Sequence, residues 1–157
     1  MNAEPLLDKI AQVLAEHRFE AVMIGNSAAA LHGAPVTTLD IDFMFRKTPG
    51  NLGKLKKVAR SLDASILKPY YPVSDLYRVI NDEHGLQLDF MAKLHGIRSF
   101  EGLKSRSISV DFGDQSLLVA CLADIIKSKR AVGRNKDLAV LDILEQTQRE
   151  QENSKEG

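Results

Sequence analysis

The apolar positions near the start of the chain recur with helical spacing. Leu6, Leu7, Ile10, Val13 and Leu14 follow Pro5, a residue suited to a first helical turn, so residues 4–17 are predicted to form an amphipathic helix. The run "FEAVMIG" at 19–25 reads as a short buried strand that stops at a glycine. "NSAAALHG" at 26–33 has the alanine content of a short helix closed by Gly33, with Asn26 or Ser27 placed to cap its start. A strand at 38–46 and a basic helix at 50–62 come next, then strands at 75–82 and 85–92 that form a hairpin turning between Asp82 and Gly85. A second hairpin is expected from strands near 107–111 and 116–119 around Gly113, and helices at 121–133 and 135–148, parted by Gly133, close the pattern. Strands alternating with helices early and hairpins later predict an α/β (mixed α+β) architecture: one domain over 1–148, with 149–157 as a frayed polar tail.

One of these strands carries charges where apolar residues are expected. In "VTTLDIDFMF" (36–45), alternation puts Leu39, Ile41, Phe43 and Phe45 on one face and Asp40, Asp42 and Met44 on the other. The two aspartates then share a face about 7 Å apart at their Cα atoms. "LQLDFM" repeats the parity, with Leu86, Leu88 and Phe90 toward the core and Asp89 opposite them. Carboxylates gathered on a sheet repel one another and lose hydration, a penalty that a cation relieves. Three hard oxygen donors on a rigid sheet suit Mg²⁺ or Mn²⁺, whose remaining ligands come from water and from a phosphate-bearing substrate. A solvated sheet face is the competing explanation, and a bare Asp-x-Asp does not decide between the two.

Composition narrows the setting. The chain has 157 residues, enough to bury roughly two-thirds of its unfolded surface as a single domain. Its 21 basic and 21 acidic residues cancel, so global charge points to neither a nucleic-acid nor a membrane partner, and any anion site must be local. A single cysteine, Cys121, excludes an internal disulfide and reads as a small buried hydrophobe in a reducing cytosol. The absence of a long apolar span or of a signal-peptide layout at the start leads to the expectation of a soluble, cytoplasmic protein with no membrane partner.

Two motifs give the carboxylates company. "MIGNSAAALHG" sets a glycine after a strand and opens a helix, and its Gly25, Ala28, His32-Gly33, Thr38 and Asp40-Ile-Asp42 follow one another in order. "ADIIKSKRAVGRNKD" supplies Asp124, Ile126, Lys129, Arg134, Lys136 and Asp137. Together they resemble the polymerase-β-like nucleotidyltransferase superfamily over roughly residues 20–145, and within it the small bacterial members related to the nucleotidyltransferase toxins of abortive-infection toxin-antitoxin systems. The chain departs from that pattern at Asn26, where a second Gly or a Ser is usual, and at Val36 or Thr37, where an Arg is common.

The resemblance implies a nucleotidyltransferase fold and metal-dependent transfer of a nucleoside monophosphate from a nucleoside triphosphate, ATP among them, to a hydroxyl on an RNA end, a protein or a small molecule. In that picture Asp40 and Asp42 hold two metal ions and Asp89 completes the second site while orienting the acceptor. Gly25, Asn26 and Ser27 grip the β- and γ-phosphates, with Lys129 and Arg134 neutralising them. An antitoxin-like partner and a homodimer are compatible with it. The competing reading is a non-catalytic nucleotide- or partner-binding protein that keeps the fold, motivated by Asn26; a metal phosphohydrolase is a weaker third, because the usual His-Asp clusters are missing. Among the other polar residues, Lys127, Lys129, Arg130, Arg134 and Lys136 also fit the solvated face of a basic helix, and Asp137 a helix cap. His32 fits a structural role at the end of the short helix, and Tyr70, Tyr71 and Tyr77 fit a proline-bounded turn as well as a base-stacking surface.

Overall fold

The computed structural model describes residues 4–36, 40–67 and 75–156. Thr37, Thr38, Tyr70 and Tyr71 lie outside them. Helix α1 (Glu4–Glu16) leads into β1 (Ala21–Ile24), α2 (Gly25–Leu31), β2 (Ile41–Phe45), α3 (Pro49–Ser61) and β3 (Ser65–Leu67). A hairpin of β4 (Leu76–Asn81) and β5 (Leu86–Met91) follows, then α4 (Phe100–Arg106), a hairpin of β6 (Ile108–Phe112) and β7 (Gln115–Val119), and helices α5 (Leu122–Val132) and α6 (Asn135–Glu156). The seven described strands form one mixed sheet in the order β3-β4-β5-β2-β1-β7-β6.

Two parallel pairings, β2 with β5 and β1 with β7, join the hairpins to the antiparallel pair of β1 and β2 at the centre. Central strands covered on both faces read as largely apolar runs. The predicted alternation of β2 holds, with Met44 on the face of Asp42 and opposite Met91 as Asp42 is opposite Asp89, but the helical layer covers that face at Met44, which is 3% exposed. It also moves Asp40, which sits in a bend just before the strand rather than on it. Within the core, Phe90 stacks on Phe43 at 5.1 Å between ring centroids and meets Phe19 edge-on at 5.3 Å. Tyr77 packs edge-on against Phe45 and so belongs to this cluster rather than to a base-stacking surface.

Buried polar ties hold the layers in register. The Asn51 side chain accepts from the Glu20 amide at 2.9 Å and donates to the Glu20 and Arg46 carbonyls, fixing the start of α3 to the strands on either side. Thr48 caps α3 by accepting from the Asn51 amide. Helix α2 differs from expectation at its start: it begins at Gly25, and neither Asn26 nor Ser27 caps it. Two elements are additional to those predicted. Strand β3 has only three residues with a single half-buried side chain, and α4 buries only Phe100 and Leu103. The last helix runs to Glu156, beyond the predicted end at 148 and through much of the expected tail. Its polar end is held by Gln151, whose amide donates to the His32 carbonyl at 3.3 Å and to its ring Nδ1 at 3.0 Å.

Phe90→Ala removes the ring at the meeting point of two aromatic contacts, and a loss of about 3–5 kcal/mol in urea unfolding is expected. Leu67→Ala, at a side chain 50% exposed, is expected to change stability by less than about 0.5 kcal/mol in the same measurement.

Candidate active site

A row of residues in register crosses the sheet: Arg78 on β4 lies opposite Asp89 on β5, Asp89 opposite Asp42 on β2, and Asp42 opposite Ile24 on β1. Side chains of paired residues leave a sheet on the same face, so the parallel pairing of β2 with β5 sets two carboxylates side by side. The consequence is largest at Asp42. Burial first, then the charges of Asp89 and Asp40, push its carboxyl up from 3.8 to about 6, against the opposing pull of Lys129 and Arg78. The structure therefore brings together the three predicted acidic residues, but it treats them differently.

Asp89 is 7% exposed, and both of its oxygens are engaged. Arg78 Nε donates to Oδ1 at 2.8 Å and Nη2 to Oδ2 at 3.3 Å, a forked pair, while Gln87 Nε2 approaches Oδ2 at 3.5 Å. Arg78 is the residue that sequence reasoning missed. Asp40 and Asp42 instead line a cleft whose described walls include Gly25, Asn26, Lys93, His95, Asp124, Lys129, Arg134 and Asp137, a set that does not include Asp89. Among the described residues, no group of three or more His, Cys, Asp or Glu side chains stands ready to hold a metal ion.

The glycine turn after β1 is shaped by Asp42. Gly25 has φ +69°, and a Cβ there would sit 3.1 Å from Asp42 Oδ2, so both backbone and space call for glycine. Asn26 follows in the cleft wall with its side-chain Oδ1 buried and without a hydrogen-bond partner among the described residues. Ser27 is buried, and its hydroxyl donates to the Ile24 carbonyl at 2.9 Å and accepts weakly from the Asp42 amide. His32 ends α2 and bonds the Ala120 carbonyl through Nε2 at 2.8 Å, which makes it the structural residue expected. With Gln151 donating to Nδ1, the proton sits on Nε2.

The opposite wall is basic and already organised. Asp137 is 3% exposed; it receives a forked pair from Arg134 at 2.6 and 3.2 Å and lies 3.9 Å from Lys129 Nζ. It is thus an anchor for two cations, where sequence allowed a simple cap, and its hydrogen bond from Arg134 holds its carboxyl below the usual range. Lys129 is mostly buried, and that burial lowers its pKa. Arg130 pairs outward with Glu145, and Lys127 is exposed, as a solvated helix face requires. Lys93 and His95, on the loop after β5, were given no role by sequence yet line the same cleft. Gly96 lets that loop lie on α5: its φ is +80°, and a Cβ would meet the Lys127 carbonyl at 2.9 Å. Asp124, from α5, also lines the cleft and accepts from Arg106 Nε at 2.8 Å.

A carboxyl whose folded pKa lies above its unfolded value opposes folding once ionised. The opposition is absent below 3.8 and complete above about 6. Asp42→Asn is accordingly expected to raise the thermal midpoint by about 3 °C at about pH 8. The gain should shrink to nothing as the pH falls through that window, which thermal melts of both proteins across a pH series will check.

No protein-family model matches the chain, and no curated protein sequence matches it. Solved structures do. The antibiotic-resistance factor ANT(2'')-Ia in solution is similar over 90% of this chain and 81% of its own, with TM-score 0.62 and 12% identity. A crystal structure of ANT(2'')-Ia in complex with adenylyl-2''-tobramycin gives TM-score 0.60 at 13% identity over 92% and 88%. A candidate nucleotidyltransferase of Thermotoga maritima gives TM-score 0.61 at 20% identity over 88% and 89%. The conclusion these likenesses carry is the fold: the chain, with its mixed seven-stranded sheet and flanking helices, has the nucleotidyltransferase fold.

Proposed function

We propose that the chain is a metal-dependent nucleotidyltransferase that moves a nucleoside monophosphate from a nucleoside triphosphate to a hydroxyl acceptor and releases pyrophosphate. The observation that carries this is one cleft with an acidic wall of Asp40 and Asp42 facing a basic wall of Lys129 and Arg134. Support for the reaction class comes from the fold, and from the adenylyl-2''-tobramycin bound to a structure that shares it.

The donor set fits a divalent cation at Asp40 and Asp42. Burial and then the charges of Asp89 and Asp40 disfavour the ionised form of Asp42, and its hard oxygens lie at a cleft wall where a cation would offset that penalty. Bound there, Mg²⁺ or Mn²⁺ would supply charge neutralisation at the reacting phosphate and acidify the acceptor hydroxyl. The chain's own residues account for the rest. Lys129, fixed by Asp137 on one side and drawn by the charge of Asp42 on the other, offers a point charge to the triphosphate, and Arg134 offers a planar fork. Gly25 keeps the turn small enough for Asp42 to lie against it. No protein nucleophile is required.

The acceptor belongs to the same proposal: an RNA end, a protein hydroxyl or a small polyol. A toxin-like role with an antitoxin-like partner rests on the sequence resemblance. The non-catalytic alternative draws on Asn26, a bulkier residue than the usual Gly or Ser in a wall that the triphosphate must approach.

Incubation with each α-labelled triphosphate, Mn²⁺ or Mg²⁺, and in turn total RNA, cell lysate and tobramycin separates the two. Metal-dependent label transfer that falls about a hundredfold or more in Asp40→Asn and in Asp42→Asn is expected. Metal-assisted nucleotide binding with no transfer to any acceptor would instead establish the non-catalytic reading.

A further inference from the structure

We infer that Arg78 is a built-in counter-ion that takes Asp89 out of metal binding, so that the cleft holds one divalent cation, on Asp40 and Asp42, rather than two. The inference rests on the metal reading of Asp40 and Asp42 given above, and it concerns a different pair of residues.

The observation begins with register. Arg78 and Asp89 are directly paired across the β4–β5 hairpin, so backbone hydrogen bonding, not a chance side-chain conformation, brings them together. The guanidinium then donates from Nε and Nη2 to separate carboxylate oxygens, the geometry in which an Arg-carboxylate pair is most strongly held. Gln87, on the same face two residues before Asp89, approaches the second oxygen as well. The carboxylate is nearly buried and is not among the described residues lining the cleft, whereas Asp40 and Asp42 are. A metal at Asp89 would have to share the carboxylate with a partly buried guanidinium, a fixed positive charge beside the very ion being bound, or displace it.

The pair also explains how Asp42 and Asp89 are tolerated as neighbours. Arg78 is the permanent positive charge of the row, and it is one of the two groups whose charge favours ionised Asp42. A protein cation fixed at that place does for the second carboxylate what a second metal would do. Asp89 thereby becomes a positioning residue: it holds Arg78 and shapes the field at Asp42 without touching the substrate.

Mn²⁺ alone is the probe, with bound ion counted by electron paramagnetic resonance in the full-length protein. Asp89→Asn by itself is uninformative, since it would leave Arg78 unpaired and repelling, so the pair is changed together. Arg78→Gln with Asp89→Asn keeps the local charge balanced and is expected to bind one Mn²⁺ with Kd within about threefold of the wild type, whose stoichiometry is also one. Arg78→Gln alone, where it folds by circular dichroism, is expected to bind a second Mn²⁺. A double variant that stays folded but loses Mn²⁺ affinity tenfold or more, a wild type that binds two ions, or a folded Arg78→Gln that still binds one would overturn the inference while leaving the metal at Asp40 and Asp42 standing. A wild type with no Mn²⁺ affinity above that of Asp42→Asn would overturn the metal reading itself, and the inference with it.

Discussion

Two carboxylates placed side by side in the middle of a sheet are an electrostatic liability, and the parallel pairing of β2 with β5 imposes it by putting Asp42 directly against Asp89. Several neighbouring features can be understood as ways of tolerating that contact. Arg78 neutralises Asp89 from the adjacent strand; Lys129 approaches from the helical layer; and Asp42, buried first of all and then beside the charges of Asp89 and Asp40, keeps a carboxyl that ionises only near pH 6. Gly25 follows from the same constraint, because the turn after β1 must pass beside the Asp42 oxygen. A structure that served stability alone would have little reason to keep Asp42, which makes it the residue where function is most plainly written.

The basic side of the cleft is built on a second buried carboxylate. Asp137 gathers Lys129 and Arg134 from the junction of α5 and α6, so the two cations are organised before any anion arrives. Such preorganisation lowers the ordering penalty of binding, at the expense of a carboxylate that competes with phosphate for the same donors. The loop carrying Lys93 and His95, seated on α5 through Gly96, extends this wall toward the end of β5. His32 and Gln151 tie the far end of α6 back to α2 and to the residue that follows β7, joining the helices behind the cleft to the turn in front of it.

Much of this was legible in the chain. Apolar periodicity located the central strands and most helices, and the two motifs put Asp42 on β2 and Lys129 on α5. What was missed divides by cause. Strand β3 and helix α4 bury too few side chains to leave a periodic signal. The end of α6 has no apolar stripe and is held by one glutamine reaching a histidine far away in sequence. Alternation gave the faces of β2 but not what covers them: Met44 shares the face of Asp42 and is nonetheless buried. Arg78 is the instructive omission. The predicted hairpin, turning between Asp82 and Gly85, already places residue 78 opposite residue 89, so the ion pair could have been read from the turn. The pairing of Asp42 with Asp89 could not, since a parallel contact between distant strands has no local signature.

The account stands on Asp42 being a strained carboxylate that a cation relieves. The most direct test is to titrate the aspartate side-chain carboxyl carbons by ¹³C NMR, assigning Asp42 through Asp42→Asn, with and without Mg²⁺. The account predicts that Asp42 titrates near 6 in the metal-free protein and falls toward or below the ordinary 3.8 when Mg²⁺ is present. An Asp42 that titrates near 3.8 under both conditions would contradict it.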